Sequence, residues 1–231
     1  MENILAFGDS ILKGIVLNNG KYKVSQNRFP NLFEAAYPVT VTNKGKFGST
    51  VVEGVNLIKR NEHLIESFEG RFVVLKFGGN DCDFKWSEVS DNPGGNHSSK
   101  VSLSEFHRIY RDIIIKIMAL GKVPVLMSLP LGNIKRYLNW ISRDLNMDNI
   151  YDWLQIGPDF LTNWHEVYNF EIYKIASELD VSVIDITTPF LMRKNCAEYF
   201  CDDGIHPNDM GHKVIANAIN RHVTDKLITF L

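Results

Sequence analysis

Five short runs of apolar and β-branched residues constrain this chain more than any other feature. They are Asn3–Phe7 (NILAF), Val39–Thr42 (VTVT), Phe72–Phe77 (FVVLKF), Val123–Ser128 (VPVLMS) and Val181–Ile186 (VSVIDI). Most are nearly continuous rather than alternating, as strands covered on both faces must be. Helical patterns separate them. Phe106, Ile109, Tyr110, Ile113, Ile114 and Ile117 recur at helical spacing, behind a Ser102-x-x-Glu105 capping box and ahead of a stop at Gly121. Trp164, Val167, Tyr168, Ile172, Ile175, Ala176 and Leu179 form a second stripe. A third helix is expected from Asp209 to about Phe230, and Val52–Ser67 also reads as helical. Strand and helix in alternation imply an α/β fold, with a parallel sheet of about five strands between two helical layers. At 231 residues the chain suits one domain over 1–231. Two long segments, Asp81–Lys100 and Leu131–Leu161, read as irregular, giving insert loops around 82–100 and 131–161.

Composition then excludes several classes. The net charge of −2 offers nothing to nucleic acid or to an anionic membrane. No run of about 18 apolar residues is present, so no membrane span is expected. Residues 3–7 read as the first strand, so no cleaved leader is expected. The three cysteines, Cys82, Cys196 and Cys201, have no CxxC spacing and are expected as reduced thiols, pointing to a cytoplasmic protein.

In parallel sheets ligands sit at the carboxyl ends of the strands. Gly8-Asp9-Ser10 follows the first strand, and Asn43 to Thr50, with Gly45 and Gly48, follows the second. Gly78-Gly79-Asn80-Asp81 follows the third, and Asp203-Gly204-Ile205-His206-Pro207 lies beyond the fifth. These are the residue types of acyl transfer. A serine hydroxyl is a weak nucleophile and needs a base to take its proton. Histidine suits that task, and a carboxylate fixes its tautomer. Asp203-x-x-His206 offers both on one turn, with Ser10 as nucleophile. The N–H groups of Ser10 and Gly48 and the Asn80 amide are candidates to hold the oxyanion.

Taken in order, these four blocks resemble those of the SGNH (GDSL-type) hydrolases, whose Ser, Gly, Asn and His correspond to Ser10, Gly48, Asn80 and His206. The resemblance implies a flavodoxin-like α/β/α sandwich that hydrolyses carboxyl esters or thioesters. It also implies Asp203 as the carboxylate behind His206, and Gly48 rather than Gly45, because Asn43 precedes Gly48 at the family's spacing. No cofactor or metal ion is then needed. The expected partner is a small-molecule ester, with an acyl group on a sugar or similar alcohol as the preferred guess; lysophospholipid and thioester substrates are the alternatives within the fold.

Blander readings stand beside these. Asp9 is a substrate-binding candidate, but it could equally cap the following helix. Tyr137, Trp140, Tyr151, Trp153, Phe160 and Trp164 form either a lid over the site or ordinary packing, with Trp140 and Trp153 as further substrate-binding candidates. A metal-dependent phosphoesterase using Asp9, Asn80, Asp203 and His206 is a rival, though Ile11 stands where an Asp-x-His motif needs histidine. His206, His212, Asp202, Asp203 and Asp209 could cluster around a metal. His165-Glu166 begins a zinc motif that Asn169 breaks. His107, His165 and His222 fall on helices, and His63 and His97 read as exposed. Gly-x-Ser-x-Gly and the phosphate-cradling glycine motifs are absent.

Overall fold

The computed structural model describes residues 2–155, 157 and 159–229, with side chains up to residue 224. Among the described residues seven strands form: β1 (Glu2–Gly8), β2 (Ile15–Asn18), β3 (Lys21–Val24), β4 (Val39–Asn43), β5 (Phe72–Lys76), β6 (Val123–Met127) and β7 (Ser182–Ile184). The α-helices among the described residues are α1 (Ser10–Lys13), α2 (Phe29–Ala36), α3 (Val51–Arg60), α4 (Glu62–Ser67), α5 (Trp86–Asp91), α6 (Leu103–Ala119), α7 (Ile134–Ile141), α8 (Met147–Leu154), α9 (Asp159–Glu178), α10 (Thr188–Leu191) and α11 (Asp209–Thr229).

Five strands make one parallel sheet in the order β4-β1-β5-β6-β7. The order reverses at β1, which places the ends of β1, β4 and β5 side by side. Alternation along the strands divides two cores. Leu5 and Phe7 of β1 and Val73 and Leu75 of β5 pack beneath α3, α6 and α9, with Ile58, Phe106, Tyr110 and Tyr168. Ala6 of β1 and Met127 of β6 face the opposite layer, where Phe29 and Phe33 of α2 meet Val214, Ile215 and Ala218 of α11. The result is an α/β/α sandwich, the architecture expected of the five runs.

Several local expectations need correction. The two inserts are not irregular. Residues 82–100 contain α5, and 131–161 contain α7 and α8. These helices have six to eight residues each, too short to show a periodic stripe. They fold by pooling apolar side chains in a third core of Phe84, Trp86, Tyr137, Leu138, Ile150 and Leu154. Asn133 and Asn146 cap α7 and α8 by accepting from the N–H of Arg136 and Asn149. The Val52–Ser67 helix is two, broken at Asn61. At Ser102 the cap accepts the Glu105 N–H at 3.4 Å. The last strand is shorter than Val181–Ile186, and the expected end of the third helix, Phe230, lies outside the described residues.

The antiparallel hairpin β2–β3 was not among the expected elements. Its turn is Asn19-Gly20, with φ of +49° and +72°. Such a pair of left-handed residues matches the twist of a two-residue hairpin.

Candidate active site

β1 runs directly into a helix of four residues, and Asp9 makes the junction. Its Oδ1 accepts the N–H groups of Ile11 (2.9 Å) and Leu12 (3.4 Å), capping α1. Gly14, at φ +85°, ends the helix after one turn. Ser10 therefore stands at the first position of α1, at the carboxyl edge of the sheet.

The second half comes from the turn before α11. Asp203 Oδ1 accepts the N–H groups of Ile205 and His206, both at 3.1 Å, closing a tight loop. Gly204 has φ +76°, and a Cβ there would stand 2.4 Å from Asn133 O. Only glycine fits this close, left-handed position. The loop aims His206 so that Nδ1 lies 2.7 Å from Asp203 Oδ2 and Nε2 lies 2.9 Å from Ser10 Oγ. Residues 196 positions apart are thus joined, and Ser10, Asp203 and His206 are all buried. Burial alone would raise the Asp203 carboxyl, yet the hydrogen bonds and charge of His206 and the Ile205 N–H outweigh it and hold the group below the usual carboxylate range. An ionised Asp203 demands a proton on Nδ1, which leaves Nε2 as an acceptor for the Ser10 hydroxyl.

The loops after β4 and β5 complete the rim. Asn43 ties the first to α1, donating to Leu12 O (2.7 Å) and accepting the Gly45 N–H (2.8 Å). The Gly45 N–H is thereby committed. Gly48 has φ +71° and open space beside its Cα. Among the described residues none accepts the N–H of Ser10 or of Gly48. Asn80 Nδ2 donates to Ser49 O at 3.1 Å, so one amide proton remains to point elsewhere.

A pocket of about 100 Å³ opens beside these groups. Ser10, Asn80 and His206 line one part, and Phe84, Trp86, Tyr137 and Trp164 line another. Trp86 Nε1 donates to Asp83 (2.9 Å) and to Tyr137 Oη (2.9 Å), and Tyr137 Oη also bonds Asp83. Asp9 lines the pocket too, but its other oxygen receives the Lys76 ammonium at 2.7 Å, with both side chains buried. Trp140 and Trp153 stand outside the lining. Trp140 packs under Arg143 and 6.3 Å from the Tyr22 ring. Trp153 is wedged among Phe84, Trp86, His97 and Phe160.

Sequence reasoning passed over two neighbours of His206. The rings of Tyr22, from the hairpin, and Phe47 lie 5.3 Å and 5.6 Å from its imidazole. Their signals were the Asn19-Gly20 turn and the position next to Gly48. It also passed over Lys76, the one charged residue in FVVLKF.

The other candidates disperse. Asp209 accepts from Ser25 Oγ and Asn27 Nδ2. His212 is buried against Phe29, and burial pushes its imidazole down to about 4. Among the described residues no group of three or more His, Cys, Asp or Glu is placed to hold a metal ion. His107 and His165 are half-buried beside Glu171 and Glu166. His97, expected as exposed, is half-buried beside Trp153, with its Nε2 2.7 Å from Asn92 O.

A model of the GDSL-like Lipase/Acylhydrolase family matches residues 6–214. The chain belongs to this family. GDSL acylhydrolases cleave ester bonds, and this chain is an ester-bond hydrolase. Its fold recurs in a lipase/acylhydrolase from Enterococcus faecalis (21% identity, TM-score 0.63, covering 98% of this chain and 97% of that one). It recurs in a GDSL-family lipolytic protein from Veillonella parvula (16%, TM-score 0.64, 96% and 97%). It recurs again in an acetylxylan esterase from Geobacillus stearothermophilus (19%, TM-score 0.62, 95% and 93%). No curated protein matches the chain. No described helix of this GDSL hydrolase is long and apolar enough to cross a membrane.

Proposed function

We propose that this GDSL hydrolase is a serine esterase for small acyl esters, working through an acyl-enzyme as one catalytic unit. Ser10 Oγ attacks the acyl carbonyl, and its proton passes to His206 Nε2. Asp203 fixes the imidazole and favours the imidazolium. The carbonyl electron pair moves onto oxygen, which receives the N–H groups of Ser10 and Gly48 and the free proton of the Asn80 amide. His206 then protonates the departing alkoxide as its bond to the acyl carbon breaks. Water repeats the sequence to release the acid. The observation that carries this reading is the continuous chain from Ser10 Oγ through His206 to Asp203 at 2.9 and 2.7 Å.

Asp9 Oδ2 is held by Lys76 while its Oδ1 caps α1, and Asp203 is held by His206, so the carboxylates a phosphoesterase would give to metal are already engaged. The pocket's small volume favours a short acyl chain. Its aromatic wall suits the face of a sugar or similar alcohol, and the acetylxylan esterase of the same fold is a precedent for that class. A series of p-nitrophenyl esters, run beside acetylated xylose, tests the proposal. Turnover is expected to peak at acetate or propionate and to vanish in Ser10→Ala. Peak activity on octanoate would overturn the small-acyl reading, and turnover surviving in a folded Ser10→Ala would overturn the mechanism.

A further inference from the structure

A buried lysine beneath the nucleophile is the feature the acyl-transfer chemistry leaves unused. Lys76 is the last residue of β5 and is fully buried. Its ammonium lies 2.7 Å from Asp9 Oδ2, and its carbonyl accepts the Asp9 N–H at 3.1 Å. The two residues are therefore bound twice, once through the backbone and once through the side chains. Asp9 Oδ1 meanwhile takes the N–H groups of Ile11 and Leu12. That division leaves the Ser10 N–H, the first donor of α1, with no described acceptor.

A bare, buried carboxylate one residue from Ser10 would oppose any negative charge arriving on a bound carbonyl oxygen. Asp81, the other buried carboxyl below the rim, has one oxygen on the Val51 N–H and the other unpartnered. Burial and the nearby Asp9 push it up to about 7, so at neutral pH it is only about half ionised. Lys76 is then what cancels Asp9.

We propose that Lys76 is a positioning residue for catalysis: its ammonium holds Asp9 Oδ2 away from the Ser10 N–H and neutralises the carboxylate under the oxyanion. The inference rests on the acyl-enzyme reading above. In the step it serves, the Ser10 Oγ–carbon bond forms, the hydroxyl proton moves to His206 Nε2 and the carbonyl π pair becomes the oxyanion. Lys76 neither gives nor takes a proton in it.

The test compares kcat and KM on p-nitrophenyl acetate for the native protein, Lys76→Gln and the double variant Lys76→Met with Asp9→Asn, each checked for folding by circular dichroism. Lys76→Gln keeps a donor for Asp9 but removes the charge. It is expected to lose about ten- to a hundredfold in kcat with KM nearly unchanged. In the double variant both charges are gone and asparagine can still cap α1. Its kcat is expected to stand about tenfold above that of Lys76→Gln, with part of the loss remaining because methionine no longer holds the side chain at position 9. A native kcat in Lys76→Gln, or a double variant as impaired as Lys76→Gln, overturns the proposal. If Lys76→Gln does not fold, the double variant decides alone, and a loss of a hundredfold or more in its kcat overturns it. Ser10→Ala separates the two claims: if it is inactive while the Lys76 variants show no effect, only the role of Lys76 falls.

Discussion

At the scale of single residues, most polar atoms around Ser10 are already committed to partners. Asn43 occupies the Gly45 N–H, Asp9 occupies those of Ile11 and Leu12, and Ser49 O holds one proton of the Asn80 amide. Among the described residues the N–H groups of Ser10 and Gly48 have no acceptor, and they and the second Asn80 amide proton are the donors proposed for the oxyanion. Removing one such donor typically costs about 10²–10³ in kcat. Asn80→Ala is expected to show a loss of that size with KM little changed, measured by steady-state kinetics on p-nitrophenyl acetate. A loss confined to KM would place Asn80 in substrate binding instead. The residue types of this set were legible in the sequence because chemistry limits them to a few. Asp9 shows the limit of that reading. Its neighbours in the chain suggested either a helix cap or a substrate contact, and only the distant Lys76, 67 residues away, shows both carboxylate oxygens in use.

At the scale of elements, strand ends and tight loops do the placing. Gly204 lets the Asp203–His206 loop turn within reach of Asn133, whose N–H bonds Gly204 O at 2.7 Å. Gly204→Ala forces a side chain into a left-handed position, at a cost of about 1–2 kcal/mol, before the clash with Asn133 O is counted. The loop must shift, and the variant is expected to melt at a lower temperature and lose at least about tenfold in kcat, since small displacements of a reacting group are expensive. Native kinetics would mean that the loop tolerates the shift. The long elements were readable from their period: α6 and α9 carry continuous apolar stripes, and the sheet strands are uniform runs. The short ones were not. α5, α7 and α8 owe their stability to a shared core rather than to their own pattern, and contacts of that kind leave no local trace. The β2–β3 hairpin did leave one, in Asn19-Gly20, and it brings Tyr22 to the His206 ring.

At the scale of the whole molecule, two buried titratable groups outside the triad contribute opposite slopes to how stability follows pH. His212 in α11 is pushed down to about 4 by burial, so its contribution is complete above the ordinary histidine range and is lost as pH falls through about 4. Asp81 is pushed up to about 7, chiefly by burial, so its contribution is complete below the ordinary carboxylate range and is lost as pH rises through about 7. The two oppose each other between these limits. Asp81→Asn, which can still accept the Val51 N–H, is expected to flatten the decline in Tm between pH 5 and pH 8. Each kcal/mol recovered should appear as about 2–4 °C. An unchanged decline, followed by calorimetry, would remove Asp81 from the account. The topology that brings such groups together was only partly visible beforehand. Alternating strands and helices imply a parallel sheet, but the order β4-β1-β5-β6-β7, which sets the ends of β1, β4 and β5 side by side, is fixed by packing over long range.

The whole account depends on Ser10 being activated by His206. A fluorophosphonate probe, followed by peptide mass spectrometry, tests that most directly. The account predicts one adduct, on the peptide carrying Ser10, and its loss in a folded His206→Ala variant. A native protein that stays unlabelled, an adduct on another residue, or equal labelling without the imidazole would contradict it.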